Sequence, residues 1–340
     1  MKKIILSVIA TLLFFASATS HAEEKVYKIG WSFYAYWYQW EYAKRTGIVK
    51  KWEDKKGVKL QIIQASSYSD SLDLFRNGKI DAVTITNGDA WSIATSKKIK
   101  FPINGDFSSG SDVVFSNECT SLKDCVDNGT KFRYDNDSVS DMLFFACLKD
   151  IGVDIRSVPA IQAAESDIVI AFEGDKKASA ITWKPFVNQV KNVNNLCSSA
   201  QYPGYIVDGL AVSADMPDAV IEALVGIWYE VVGSMNNDQV LTAVAAIPGD
   251  SLESYKDQLS TTFRLDKPKD AIDFMSSEAF INNMKGRVHD WLFSTGLTAS
   301  DVDKIGVKFP NGTVIGNQNN VTLEFDARYV KKMLDAGEIK

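Results

Sequence analysis

Residues 30–40 read GWSFYAYWYQW and hold seven aromatic side chains, Trp31, Phe33, Tyr34, Tyr36, Trp37, Tyr38 and Trp40. A half-buried strand alternates apolar and polar residues, and a core helix spaces its apolar residues three and four apart. This run sustains neither pattern, so some of its rings are expected to face a ligand. Aromatic rings offer a cation the negative face of their quadrupole and stack on planar groups. Carboxylates at Asp89, Asp106, Glu165 and Asp208 add acceptors for N–H donors, which together describe a site for a cationic or planar, hydrogen-bonding solute. Arg133 is the one arginine near an expected site position, and it falls on a strand; anions are disfavoured.

Catalysis has little support. Beyond residue 22 the chain keeps a single histidine, His289, in a late helical stretch. A lone helical histidine is more often structural than a base. The sequence has no G-x-S-x-G elbow, no H-E-x-x-H pair and no glycine-rich phosphate loop. A binding protein without cofactor, rather than an enzyme, is the expectation.

The elements that must position these residues begin after an export signal. Residues 1–22 comprise a dibasic start, an apolar run and small residues before Ala22, the three-part layout of a cleaved signal peptide. The remaining 318 residues (340 less 22) suit two lobes of ordinary size. Loss of Lys2 and Lys3 takes the net charge from -6 to -8, and no basic cluster is present, which argues against nucleic acid as a partner. Four cysteines in an exported chain favour disulfides over metal. Three pairings are open; Cys119–Cys125 with Cys147–Cys197 is preferred. A four-thiolate zinc site lacks the usual C-x-x-C spacing.

From Tyr27 an apolar strand and an amphipathic helix alternate, the pattern of a parallel sheet covered by helices. Strands are predicted at YKIGW, VKLQIIQA and AVTIT, and helices over 38–53, 68–76 and 87–96, the second closed by Asn77-Gly78. A Gly/Ser-rich passage, GDFSSGSDVVFS, then carries the chain to a second lobe, where KFRYD, PAIQA and SAITW alternate with helices over 138–151 and 165–172. YPGYIVDGLAVSA is the return crossing, and everything after Met216 is predicted mainly helical. The expected lobes are 23–108 with 209–340, and 109–208.

In open parallel sheets ligands gather beyond the carboxyl ends of the strands. Trp31, Tyr36, Trp37, Asn87, Asp89, Asp106, Ser138, Glu165, Asp167, Trp183 and Asp208 fall in such places and are the candidate ligand-binding residues. Asn87 and Ser138 are equally good helix caps. Trp31 and Trp183, one on each lobe, are expected to sandwich the solute. Trp40, Trp52 and Trp228 fall within helices and are expected to pack.

Taken in order, Gly30-Trp31, EYAKRTGIVKKWEDKKGVKL, NGKIDAVTITNGDA, GDFSSGSD, ESDIVIAF and TWKP resemble periplasmic substrate-binding proteins of ABC importers, in the nitrate, sulfonate and taurine group. Within it the chain is most similar to the urea-receptor branch, some of whose members suit guanidine better. The likeness spans most of the chain after residue 22 and is strongest over 30–183. It implies the α/β, two-lobed type II periplasmic-binding-protein fold. It further implies a periplasmic monomer that captures a guanidine- or urea-like solute between the lobes and delivers it to an ABC permease. The alternatives are a receptor for sulfonate, taurine or another small solute, and an enzyme of the related thiamine-pyrimidine synthase type. The export signal and the scarcity of histidine speak against the enzyme. The chain departs from the group in its four cysteines and in carrying Tyr36 and Trp37 where smaller polar residues are expected.

Overall fold

The computed structural model describes residues 25–136, 138–174 and 177–340; the expected signal peptide lies outside the described residues. Two mixed sheets flanked by helices make up the fold. The first runs in the order Val314–Gly316, Gly306–Lys308, Val321–Phe325, Ile99–Ser108, Val207–Ser213, Ala82–Thr86, Val26–Trp31, Lys59–Gln64, and Thr262–Arg264 also pairs with Ile99–Ser108. The second runs Ala160–Gln162, Phe132–Tyr134, Ser179–Trp183, Asp112–Ser116, Asn194–Ser198. The chain passes between the sheets at 109–111 and again at 199–206. Val207 and Asp208 already pair within the first sheet, so the second crossing ends two residues before the expected boundary at 208/209.

Neither sheet is wholly parallel, as the strand–helix alternation had suggested. Val207–Ser213 runs antiparallel to both of its neighbours, and so does Asp112–Ser116. Each is the strand on which the chain enters a sheet from the other, so its direction follows from the crossing and not from its residues. The core strands are legible from composition: Ala82–Thr86, AVTIT, is buried at every position, as a strand covered on both faces must be.

Several predicted elements change for local or distant reasons. The helix expected over 38–53 is two, Gln39–Arg45 and Ile48–Lys56, because Gly47 takes a left-handed φ of 79° between them. The Gly/Ser-rich passage holds the end of one strand, Ile99–Ser108, and the whole of the next, Asp112–Ser116. The C-terminal third is not mainly helical throughout. Gly306–Lys308, Val314–Gly316 and Val321–Phe325 extend the first sheet, and the last helix starts only at Arg328. Pairing of Val321–Phe325 with Ile99–Ser108 claims those residues for the sheet.

Cys119 pairs with Cys125, and Cys147 with Cys197, at Cα separations of 5.5 and 6.3 Å. The second bond ties the helix Val139–Asp150 to the strand Asn194–Ser198. Thiol titration of the denatured, unreduced protein is expected to find essentially no free thiol. Reduction should lower stability by about 2–4 kcal/mol, mainly through the longer loop closed by Cys147–Cys197. Four titratable thiols before reduction would refute the pairing.

Candidate functional site

The strand register assembles a site where the two sheets meet. Asp208 lies opposite Thr86 on one side and Asp106 on the other, so three adjacent strands bring a hydroxyl and two carboxylates into one row. The register slips between Asp208 and Gly209, leaving Gly105 as an extra residue in Ile99–Ser108; such a bulge re-aims the side chains around it. In the second sheet Asp112 lies opposite Trp183. Tyr34 and Trp37 come from the turn before the first helix, and Tyr68 starts the helix Tyr68–Arg76.

These residues close around a small cavity of about 10 Å³, room for about one water, bordered by Tyr34, Trp37, Tyr68, Thr86, Asp112, Val139, Trp183 and Asp208. Trp37 meets Tyr34 edge-on at 5.2 Å and Tyr68 at 5.5 Å, and Tyr68 meets Trp183 edge-on at 6.0 Å. The Trp183 Nε1–H donates to the Phe33 carbonyl at 3.0 Å, so a ring from the second sheet is anchored to the first. The Lys184 ammonium beside it reaches Asp257 at 2.8 Å, a second link across the cleft.

Behind the rings lie carboxylates. The Tyr34 hydroxyl donates to Asp106 at 2.7 Å; the Tyr68 and Thr86 hydroxyls donate to Asp89 at 2.6 and 2.7 Å. Burial holds Asp89 up at about 6 and Asp112 and Glu165 up at about 7. Burial, reinforced by repulsion from neighbouring carboxylates, holds Asp106 and Asp208 well above the ordinary carboxylate range. Among the described residues no lysine or arginine borders the cavity. The arrangement attracts positive charge and offers acceptors for its N–H groups.

A pH dependence follows. Between about pH 4 and pH 7 the folded site retains protons that the unfolded chain has released, so ionising it lowers stability as pH rises through that window. A cation bound among these groups favours their ionised forms and offsets the loss. A small cation that binds here is therefore expected to raise the melting temperature more at pH 8 than at pH 5. Its affinity should rise at least about tenfold, which corresponds to about 1.4 kcal/mol of added attraction to one ionised carboxylate. Calorimetric titration at the two pH values checks this, and equal affinities would refute it.

The structure brings some of the predicted residues to the cavity and not others. Trp37, Trp183 and Asp208 border it, while Asp89 and Asp106 stand behind it through Tyr68 and Tyr34. Trp31 does not border it: the ring is fully buried at the end of its strand, edge-on to Phe33 and Tyr38 at 6.0 and 6.2 Å. Tyr36 turns away and donates to Asp266, edge-on to Trp228. Asn87 pins the return crossing, donating to the Tyr205 carbonyl and accepting from the Val207 N–H. Ser138 caps the helix Val139–Asp150. Glu165 is buried near Tyr68, and Asp167 is exposed on the same helix. His289 bonds Asp303 at 3.1 Å and packs on Trp91 and Phe293, away from the cavity lining.

Tyr34, Tyr68, Thr86, Asp112 and Val139 were not among the candidates. Tyr34 stands in the aromatic run, and Tyr68 and Thr86 each adjoin a predicted strand end, so the signal for them was present. Asp112 had none, because its role comes from lying opposite Trp183.

No protein-family model matches the sequence, and comparison with curated proteins finds no match. Solved structures do match. The alkanesulfonate-binding protein of Xanthomonas axonopodis pv. citri, bound to MOPS, superposes with a TM-score of 0.63 at 12% identity, over 81% of this chain and 95% of that one. The nitrate-binding protein of Synechocystis PCC 6803 gives 0.54 at 12% identity, over 92% and 98%. A Candida albicans protein described as having the generic periplasmic-binding-protein fold gives 0.60 at 12% identity, over 81% and 91%. Two helix-flanked sheets, each with an antiparallel strand where the chain crosses, together with these superpositions show that this chain has the periplasmic-binding-protein fold.

Proposed function

We propose that the chain is a periplasmic receptor that closes two lobes around a small, planar, N–H-bearing solute, a cation above all, and presents it to an ABC permease. Guanidinium suits the site best and urea next. The observation that carries this reading is the cavity itself, bordered by the rings of Tyr34, Trp37, Tyr68 and Trp183 and by the carboxylates of Asp112 and Asp208, with no basic side chain. Rings alone suit a quaternary ammonium equally well. Buried carboxylates also require hydrogen-bond donors, which guanidinium supplies and a quaternary ammonium lacks. As it stands the cavity leaves about 10 Å³ of free space, room for about one water, so even a solute of a few heavy atoms enters only as the lobes part.

The sulfonate- and nitrate-binding neighbours take anions. An anion among Asp112, Asp208 and the carboxylates behind them meets repulsion from every side. A thermal-shift screen of the exported form against guanidinium, methylguanidinium, urea, methylammonium, taurine and nitrate tests the charge of the ligand, because a solute bound only by the folded state raises apparent stability. Guanidinium is expected to give the largest shift. Tight binding of taurine or nitrate with no response to any cation would overturn the reading.

Closure is the second expectation. Trp183 with Phe33 and Lys184 with Asp257 join the lobes across the cleft, and the two crossings at 109–111 and 199–206 are short enough to serve as hinges. Small-angle scattering should show a smaller radius of gyration with saturating guanidinium than without it. An unchanged radius at saturation counts against closure.

A further inference from the structure

The chain leaves the first sheet at Ser108, the last residue of Ile99–Ser108, and enters the second at Asp112, the first of Asp112–Ser116. It starts back at Ser199, directly after Asn194–Ser198. These three residues meet where the two crossings touch. Ser108 Oγ and Ser199 Oγ are 2.7 Å apart, and Ser199 Oγ accepts from the Gly110 N–H at 2.8 Å. The Asp112 N–H lies 3.3 Å from each of the two hydroxyl oxygens. Ser108, Ser199 and Asp112 are all more than nine-tenths buried. Gly110 adopts a φ of 112° inside this three-residue crossing, a conformation that glycine takes without strain.

Counting donors fixes the direction of these hydrogen bonds. A serine hydroxyl has one hydrogen to give and two lone pairs to accept with. Ser199 Oγ already accepts from two backbone N–H groups, so its own hydrogen goes to Ser108 Oγ. Ser108 Oγ accepts from Ser199 and from the Asp112 N–H, and gives its hydrogen onward to the Asp112 carboxylate, whose ionised form it favours against burial. One directed chain thus runs from backbone N–H groups through Ser199 and Ser108 to a carboxylate that borders the ligand cavity. Ser108 belongs to the first sheet and Asp112 to the second, so the chain spans the hinge.

We propose that Ser108 and Ser199 are positioning residues for the ligand, a directed hydroxyl relay that holds Asp112 ionised toward a bound cation while the two crossings keep this separation. The other groups around Asp112 do not do this. The Asp106 and Asp208 carboxylates repel its charge, the Tyr34 and Tyr68 hydroxyls are given to Asp106 and Asp89, and the Lys184 ammonium is turned to Asp257. This inference rests on the receptor reading above, and it adds what couples the charge of the site to the hinge.

The test has one arm without ligand and one with it. In protein carrying carbon-13-labelled aspartate, the carboxyl resonance absent from Asp112→Asn reports the Asp112 titration midpoint. Ser108→Ala should raise that midpoint by about one pH unit or more, and Ser108→Thr, which restores a hydroxyl, should bring it back. Ser199→Ala, which breaks the relay from the other crossing, should raise it too. By calorimetric titration, Ser108→Ala should bind guanidinium at least about fivefold more weakly than wild type at about pH 6, and within about threefold at about pH 9, where Asp112 ionises without help. Serines that serve only the fold would weaken binding equally at both pH values. An Asp112 midpoint unmoved in both alanine variants, or equal losses of affinity at the two pH values, overturns the relay and leaves the receptor reading standing. A wild type that binds no cation overturns the receptor reading, and the ligand-positioning role of the relay with it.

Discussion

Asp208→Asn is expected to weaken guanidinium binding at least about a hundredfold, about 2.8 kcal/mol, while raising the melting temperature of the protein without ligand. The two effects have one cause. Asp208 is buried among Asp106, Asp112 and Asp89, and their repulsion adds to the cost of burying its charge. Asparagine keeps the shape and removes the ionisable group, so the folded state is relieved of that unfavourable burial. The same charge is what a cation in the cavity pairs with, and a desolvated, hydrogen-bonded charge pair costs about 2–5 kcal/mol when one partner is removed. Thermal melts and calorimetric titration at pH 8 read both effects. Asp167→Asn, exposed on its helix, should change neither. A destabilised Asp208→Asn variant with wild-type affinity would show that the carboxylates serve the fold and not the ligand.

Trp183→Ala and Trp31→Ala should separate binding from stability, although both residues end strands and both looked like cleft residues in the sequence. Trp183 borders the cavity and is anchored by its Nε1–H to the Phe33 carbonyl. Its loss removes a ring face worth about 2 kcal/mol to a desolvated cation, so guanidinium affinity should fall at least about tenfold. Trp31 is fully buried between Phe33 and Tyr38. Its truncation should cost about 3–5 kcal/mol of stability and leave the affinity of the folded protein nearly unchanged. Denaturant titration and calorimetry on both variants check the pair. A Trp31→Ala protein of normal stability and weakened affinity would reverse the assignment.

Much of the local structure was legible because its causes are local. The helix Tyr68–Arg76 starts where Ser67 accepts a hydrogen bond from the Asp70 N–H and stops where Gly78 takes a φ of 66°. The strand Ala82–Thr86 follows from a run of apolar and β-branched residues that only a doubly covered strand can bury. The acidic, aromatic character of the candidate site was also legible, since its carboxylates and rings fall near predicted strand ends.

What the sequence determined by itself was therefore an α/β chain that alternates strand and helix, with aromatic rings and carboxylates gathered near strand ends. Tertiary structure alone decided which of them meet. Trp31 and Trp37 stand six residues apart in one aromatic run, and the turn between them buries the first and turns the second to the cavity. Asp106 and Asp208 are neighbours only because the return strand runs antiparallel beside Ile99–Ser108, and Asp112 joins Trp183 only through the register of the second sheet. Backbone preference and side-chain periodicity act over a few residues, whereas register and strand direction are set by partners a hundred residues away; a one-residue slip would turn every one of these side chains to the opposite face.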